Sequence, residues 1–184
     1  QIPDFSLLET ILWTPQEGYF LLPYHLARLR DSALYFSYSA DIDAIREELD
    51  ALVRTLPQTP HKVRLLVTKE GGITVQSEAL GDTDSRPLRC CLPPEPVDAA
   101  NPFLYHKTTN RQVYDQALAA CPGYADCVLW NEKGEITESS IANIVVELDG
   151  ELYTPPIRCG LLPGTYRAYL VDRGKVKERV IRIE

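Results

Sequence analysis

A chain of 184 residues, 45% of them hydrophobic, has enough apolar material for one core or two small ones. Its formal charge of −7, with no block of Lys and Arg to neutralise phosphates, excludes nucleic acid as the main ligand. No apolar run approaches the ~18–20 residues of a membrane helix, and the first residues lack the charged-then-apolar pattern of a signal peptide.

The 5 cysteines, at 90, 91, 121, 127 and 159, show no metal-like C-x-x-C spacing. They are expected to be reduced thiols in a cytoplasmic protein. His25, His61 and His106 are too scattered for a metal site, and none is expected. The chain begins at Gln1, has no methionine and stops at "ERVIRIE", which reads as an unfinished strand of a longer chain.

In chain order, "FSLLETILW" (5–13) reads as a strand, "TPQEG" as a turn and "YFLL" as the returning strand. Pro23 opens a helix through "YHLARLRDSALYF", with Leu26, Leu29, Ala33 and Phe36 at helical spacing. A second helix is predicted over 41–56, with Asp41 as N-cap and an apolar stripe of Ile42, Ile45, Leu49, Leu52, Val53 and Leu56. "HKVRLLVTKEGGITVQSEAL" is a hairpin around Glu70-Gly71-Gly72.

The Pro-rich stretch 81–102 reads as a linker. It separates a small α+β domain, 1–80, from a second domain, 103–184. There "FLYHK" reads as a strand ending at Lys107 and "RQVYDQALAAC" as a helix. "ADCVLWN", "ITESSIANIVVEL" and "LYTPP" read as strands, and a helix runs from about Thr165 to Arg173, closed by Gly174.

Four features could carry chemistry, and each has a plain alternative. Lys107 is a solvated strand-end cation, or an amine desolvated into a nucleophile by its apolar approach. Glu138 is half of an ion pair with an arginine, or a carboxylate that keeps a ring nitrogen protonated. Gly164-Thr165 is an ordinary helix start, or an anion site made by backbone N–H groups. Arg28 is a surface charge, or an inward guanidinium suited to phosphate.

Taken in order, "HLARLRDSA", "HKTTNR", "GEITESSIANI" and "LYTPPIRCGLLPGTYR" resemble the class IV aminotransferase-like family over nearly the whole chain. These are the fold-type IV pyridoxal-phosphate enzymes, which include branched-chain and D-amino-acid aminotransferases and 4-amino-4-deoxychorismate lyase. The resemblance implies a small α+β N-terminal domain, a larger pseudo-barrel C-terminal domain and a pyridoxal 5′-phosphate between them. It implies that Lys107 holds the cofactor, that Glu138 pairs with its ring nitrogen, and that Arg28 with Gly164, Thr165 and Tyr166 binds its phosphate.

Within the family, "KTTNR" is similar to the lyase pattern K-T-x-N-R, whereas the branched-chain aminotransferases carry an Asn-Tyr pair there. Arg111 stands near where they have the tyrosine, which gives it a substrate-binding role. Thr10, in "FSLLETILW", falls at the position of a lyase threonine that assists proton transfer.

The implied function is cleavage of aminodeoxychorismate to 4-aminobenzoate and pyruvate, by a homodimer, with a synthase domain as a further possibility in the same chain. Two alternatives stand beside it: a class IV aminotransferase acting on branched-chain or D-amino acids, and a non-catalytic dimerisation domain of a larger synthase. The family's last helix and strands, beyond "RVIRIE", are not in the sequence, so the C-terminal domain reads as incomplete.

Overall fold

The structure is a computed structural model that describes residues 4–81 and 86–184. It divides into two units, Gln1–Ser85 with Lys107–Asn110, and Arg86–His106 with Arg111–Glu184.

The first unit is built on strands β1 (Leu7–Thr14), β2 (Gly18–Tyr19), β3 (His61–Val67) and β4 (Ile73–Ala79), in the antiparallel order β2-β1-β3-β4. Helices α1 (Leu22–Phe36) and α2 (Ile42–Val53) supply the rest of its core. Alternation along β1 turns Leu7, Ile11 and Trp13 inward with Val63, Leu65 and Val67 of β3. Leu26, Leu29 and Ala33 of α1 and Ile45 and Leu49 of α2 complete this core.

The Asp41 carboxylate caps α2 by accepting from the Asp43 and Ala44 N–H groups at 3.0 and 3.1 Å. At the β3–β4 turn Gly71 adopts φ +93°, and a Cβ there would sit 2.9 Å from the Ser39 carbonyl, so a side chain is doubly disfavoured. The expected strand "YFLL" shrinks to Gly18–Tyr19, because α1 already starts at Leu22 with Pro23 in its first turn.

The second unit holds two small sheets. Strands β5 (Cys90–Cys91), β6 (Asp126–Trp130) and β7 (Ile136–Ser139) form one, with α3 (Gln112–Ala119) packed on β6. Strands β8 (Val146–Leu148), β9 (Glu151–Thr154) and β10 (Lys177–Glu178) form the other, and α4 (Thr165–Asp172) lies between β9 and β10 in the chain. Val97, Leu104, Tyr114, Cys121, Cys127 and Leu129 make its buried cluster.

Four expectations change here. Of the linker expected over 81–102, residues from Arg86 on belong to the second unit: β5 pairs in parallel with β6, the Trp130 indole donates to the Pro93 carbonyl at 2.8 Å, and the Val97 N–H donates to Trp130 O. Proline cannot donate to a ladder but still accepts, so a Pro-rich segment can cover an edge. No strand leads into Lys107, because Pro102–Leu104 form a 3-10 turn capped by Asn101.

"ITESSIANIVVEL" is not one strand either. The Ser139 hydroxyl accepts from the N–H groups of Ile141 and Ala142, which turns the chain after β7. The cysteines are not all reduced: Cys91 and Cys121 form a disulfide with their Cα atoms 6.2 Å apart, while Cys90, Cys127 and Cys159 remain thiols. Among the described residues, no helix is long and apolar enough to cross a membrane.

Candidate active site

In the first unit, residues 107–109 dock on the edge of β1 that β3 does not occupy. The Leu8 N–H donates to Lys107 O at 3.0 Å, the Thr109 N–H to Ser6 O at 2.9 Å, and the Ser6 N–H to Thr109 Oγ1 at 2.9 Å. Leu7 faces Thr108 in antiparallel register, which sets Lys107 opposite Leu8. Thr108 is buried, as is Leu7, and Lys107 is half-buried.

Paired residues share a face and alternate residues of a strand share a face, so Lys107, Leu8 and Thr10 belong to one side of the sheet. Thr10 lies opposite Arg64 of β3. Arg64 is exposed and makes no ion pair among the described residues. Nothing in the sequence reading singled it out, although its place in the alternating run "HKVRLLV" marks it as outward-facing.

The other side of β1 carries a buried charge cluster. Glu9 is 1% exposed. Its carboxylate accepts from Arg28 Nε at 2.9 Å and Arg28 Nη2 at 2.6 Å, and lies 2.6 Å from His25 Nδ1. Burial pushes the Glu9 carboxyl up, but the Arg28 guanidinium and the hydrogen bonds from His25 and Arg28 outweigh it and hold the group below the usual carboxylate range.

Arg28 therefore points inward, as its helical position suggested, while Arg30 is exposed. The reading as a surface charge is overturned. Two of the guanidinium's N–H groups go to Glu9, in a side-on pairing suited to a carboxylate. Arg28 meets β1 at Glu9, the residue before Thr10 in that strand.

In the second unit Glu138 ends up 4% exposed at the end of β7. Its Oε1 accepts from the Tyr114 hydroxyl at 2.8 Å and from the Leu162 N–H at 3.2 Å. Its Oε2 accepts from Asn143 Nδ2 at 3.3 Å, and the same amide donates to Leu162 O at 2.9 Å. Tyr114 and Asn143 were not legible as site residues, since both act only through tertiary contacts.

Gly164 is the N-cap of α4, extended and without a side-chain cap. A Cβ on it would overlap Asn143 Oδ1, so any larger residue would displace the side chain that holds Glu138. Glu138, Gly164 and the first turn of α4 thus form one cluster, joined through Asn143. Thr165 opens α4, and Tyr166 is exposed with its ring stacked on Tyr169, so only its backbone can serve an anion at the helix start.

Arg111 donates from Nη2 to Ser140 O at 2.5 Å, and its guanidinium carbon lies 4.7 Å from the centroid of the Tyr114 ring. Ser140 is itself fixed by Asp126, whose Oδ1 accepts from the Ser140 N–H and hydroxyl. Burial pushes the Asp126 carboxyl up, while hydrogen bonds from Ser140, Ser139 and the Cys127 N–H bring it below its ordinary value.

The family model for class IV amino-transferases matches residues 6–184. The chain belongs to that family. A Schizosaccharomyces pombe protein named "Putative aminodeoxychorismate lyase" is 32% identical over 181 residues, covering 95% of this chain and 77% of its own. A Methanocaldococcus jannaschii protein named "Putative branched-chain-amino-acid aminotransferase" is 28% identical over 177 residues, covering 85% of this chain and 61% of its own.

Among solved structures, a Mesorhizobium loti protein described as a "Putative amino-acid aminotransferase" is 33% identical, with a TM-score of 0.89, over 98% of this chain and 88% of that one. The Escherichia coli branched-chain amino acid aminotransferase, at 20% identity and a TM-score of 0.79, shares the fold. The α+β architecture of this class IV chain is therefore that of the fold-type IV enzymes.

The family uses pyridoxal 5′-phosphate, and the residues present fit it. Glu138 is a buried carboxylate on which three donors converge, as suits a group facing a ring N–H. Gly164, whose Cβ position is taken by Asn143, stands at a helix start without a side-chain cap, the local structure that receives a phosphate. Lys107 is an amine whose carbonyl is held by the Leu8 N–H, and Arg28 is an inward guanidinium.

Proposed function

We propose that this class IV enzyme is a pyridoxal-phosphate-dependent lyase that converts 4-amino-4-deoxychorismate to 4-aminobenzoate and pyruvate. Lys107 would hold the cofactor, Glu138 would pair with its ring nitrogen, and Arg28 with the Gly164–Tyr166 backbone would take its phosphate. When bound, the cofactor supplies an electron sink for the bond broken at the substrate's amine-bearing carbon.

The observation that carries the lyase reading is the β1 register, in which Lys107 and Thr10 share one face of the sheet. Elimination needs a base to take the proton from the amine-bearing ring carbon and an acid to return one to the departing enolpyruvyl group. Lys107 Nζ takes the first proton, and Lys107 with Thr10 delivers the second. Loss of pyruvate leaves an aromatic ring. The substrate is a dicarboxylate, and Arg64, opposite Thr10, and Arg111 are the guanidinium groups offered to it.

The test is to load the protein with pyridoxal phosphate, add aminodeoxychorismate without an amino acceptor, and follow 4-aminobenzoate and pyruvate. Both products are expected from the wild type and neither from Lys107→Ala. A loaded protein that makes neither refutes the reading.

The second reading is transamination, which the 33% identical Mesorhizobium loti structure supports by its description. Amino-group exchange between an amino acid and a 2-oxo acid, with no pyruvate released from aminodeoxychorismate, would decide for it. The resemblance also extends the proposal to a homodimer, which light scattering of the loaded protein checks.

A further inference from the structure

Tyr114 has no part in the roles given so far, yet it touches two of the residues that do. It is the third residue of α3, 7% exposed, and its two ends face different partners. The hydroxyl donates to Glu138 Oε1 at 2.8 Å, shorter than the bonds from Asn143 and Leu162 described above. The ring lies beneath the Arg111 guanidinium, 4.7 Å from centroid to carbon.

The hydroxyl cannot change its role with pH. Burial, then the charge of Glu138 and the hydrogen bond to it, push the phenol far above its ordinary value, against a smaller opposing effect of Arg111. Tyr114 is thus a fixed donor over any working pH. The two donors on Oε1 come from directions set by α3 and by the backbone at Leu162, and together they define the plane of the carboxylate. Removing one lets that plane turn, which would misdirect the oxygen offered to a ring nitrogen.

The ring acts separately. Arg111 is held by one hydrogen bond to the Ser140 carbonyl, and the aromatic face below it fixes the rest of the guanidinium.

We propose that Tyr114 is a positioning residue with two separable functions: its hydroxyl orients Glu138 toward the cofactor, and its ring orients Arg111 toward the substrate's carboxylate. This rests on the roles proposed above for Glu138 and Arg111. It also explains why a tyrosine, rather than a phenylalanine or a leucine, fills this place in the core around Leu104, Cys121 and Leu129.

The experiment compares wild type, Tyr114→Phe, Tyr114→Leu and Lys107→Ala. Cofactor affinity is read by absorbance titration of the apo-protein, the pH dependence of the bound cofactor's visible band by spectroscopy, and KM from product formation. Tyr114→Phe keeps the ring and loses the donor. It is expected to weaken cofactor binding about tenfold, as for loss of an outer hydrogen-bond partner, and to move the pH midpoint of the band, with KM within about twofold of wild type. Tyr114→Leu is expected to show the same cofactor defect and a raised KM as well.

A purely structural role would lower stability without moving the pH midpoint, so an unmoved midpoint in a folded Tyr114→Phe protein overturns the inference. A rise in KM as large in Tyr114→Phe as in Tyr114→Leu overturns the division between hydroxyl and ring. A wild-type band that depends on Lys107 beside an unaffected Tyr114→Phe sinks this inference alone. A wild type with no Lys107-dependent band sinks the functional reading and this inference with it.

Discussion

Glu9→Gln removes one negative charge from a site where the two partner side chains, Arg28 and His25, are 9% and 7% exposed. The amide keeps the volume, so no cavity forms, but Arg28 is left as a buried cation facing a neutral group. Breaking one half of such a pair costs about 3–5 kcal/mol, several times the ~1 kcal/mol of an ordinary hydrogen bond. That is a large share of the ~5–15 kcal/mol that holds a domain together.

The assay is urea denaturation followed by Trp13 fluorescence, in a Trp130→Phe background so that the signal comes from the first unit's core. The double variant Glu9→Gln with Arg28→Met should recover much of the loss, because removing both partners leaves no stranded charge. The pH dependence follows from the lowered carboxyl of Glu9. A group with a depressed folded value contributes fully above its ordinary value of 4.5 and loses that contribution as pH falls through the folded value. The gap between wild type and Glu9→Gln should therefore close as pH drops below 4.5. A Gln variant within about 1 kcal/mol of wild type at neutral pH would refute the reasoning.

Two further outcomes are expected. Opening the Cys91–Cys121 disulfide, which spans 30 residues, should lower stability by about 3–4 kcal/mol, read as a fall in urea midpoint on adding reductant. Thiol titration in denaturant should find 3 reactive groups before reduction and 5 after, and 5 at the outset would contradict the bridge. Gly164→Ala should push Asn143 off Glu138 and Leu162, costing about 1–3 kcal/mol as an overpacked site does. An Ala variant that melts with wild type and binds cofactor equally well would show that the helix start can yield.

What could be read from the sequence was what local periodicity and special residues dictate. The α2 stripe with its Asp41 cap, the β3–β4 hairpin around Gly71 and the α4 helix that Gly174 follows all depend on neighbours within a few residues. The role of Glu9 left a trace that went unused. In "LLETILW" it occupies an inward position between Leu7 and Ile11, and a carboxylate there requires a buried cation.

The misread parts depend on distant partners. Pro-rich composition suggested a linker at 81–102, but the bonding that orders residues 90–93 comes from Trp130, 37 residues on, and from β6. Adjacent Cys90 and Cys91 gave no sign of which would pair, because Cys121 is delivered by the end of α3. Tyr114 lies in the sequence as one residue of the helix "RQVYDQALAAC". Only the carboxylate above its hydroxyl distinguishes it from a phenylalanine.

The short visit that residues 107–110 make to the first unit has a consequence for how the chain can be cut and how it folds. The chain passes between the units three times, after Ser85, after His106 and after Asn110. A fragment ending at Ser85 would keep the helices and the four-stranded sheet, yet it would expose the Leu8 amide and the Ser6 amide and carbonyl that Lys107 and Thr109 now cover. During synthesis that bare edge must persist until the lysine segment emerges, and an unpaired edge is where misassociation begins. The residue proposed to hold the cofactor is thus also the last stitch of a sheet begun a hundred residues earlier.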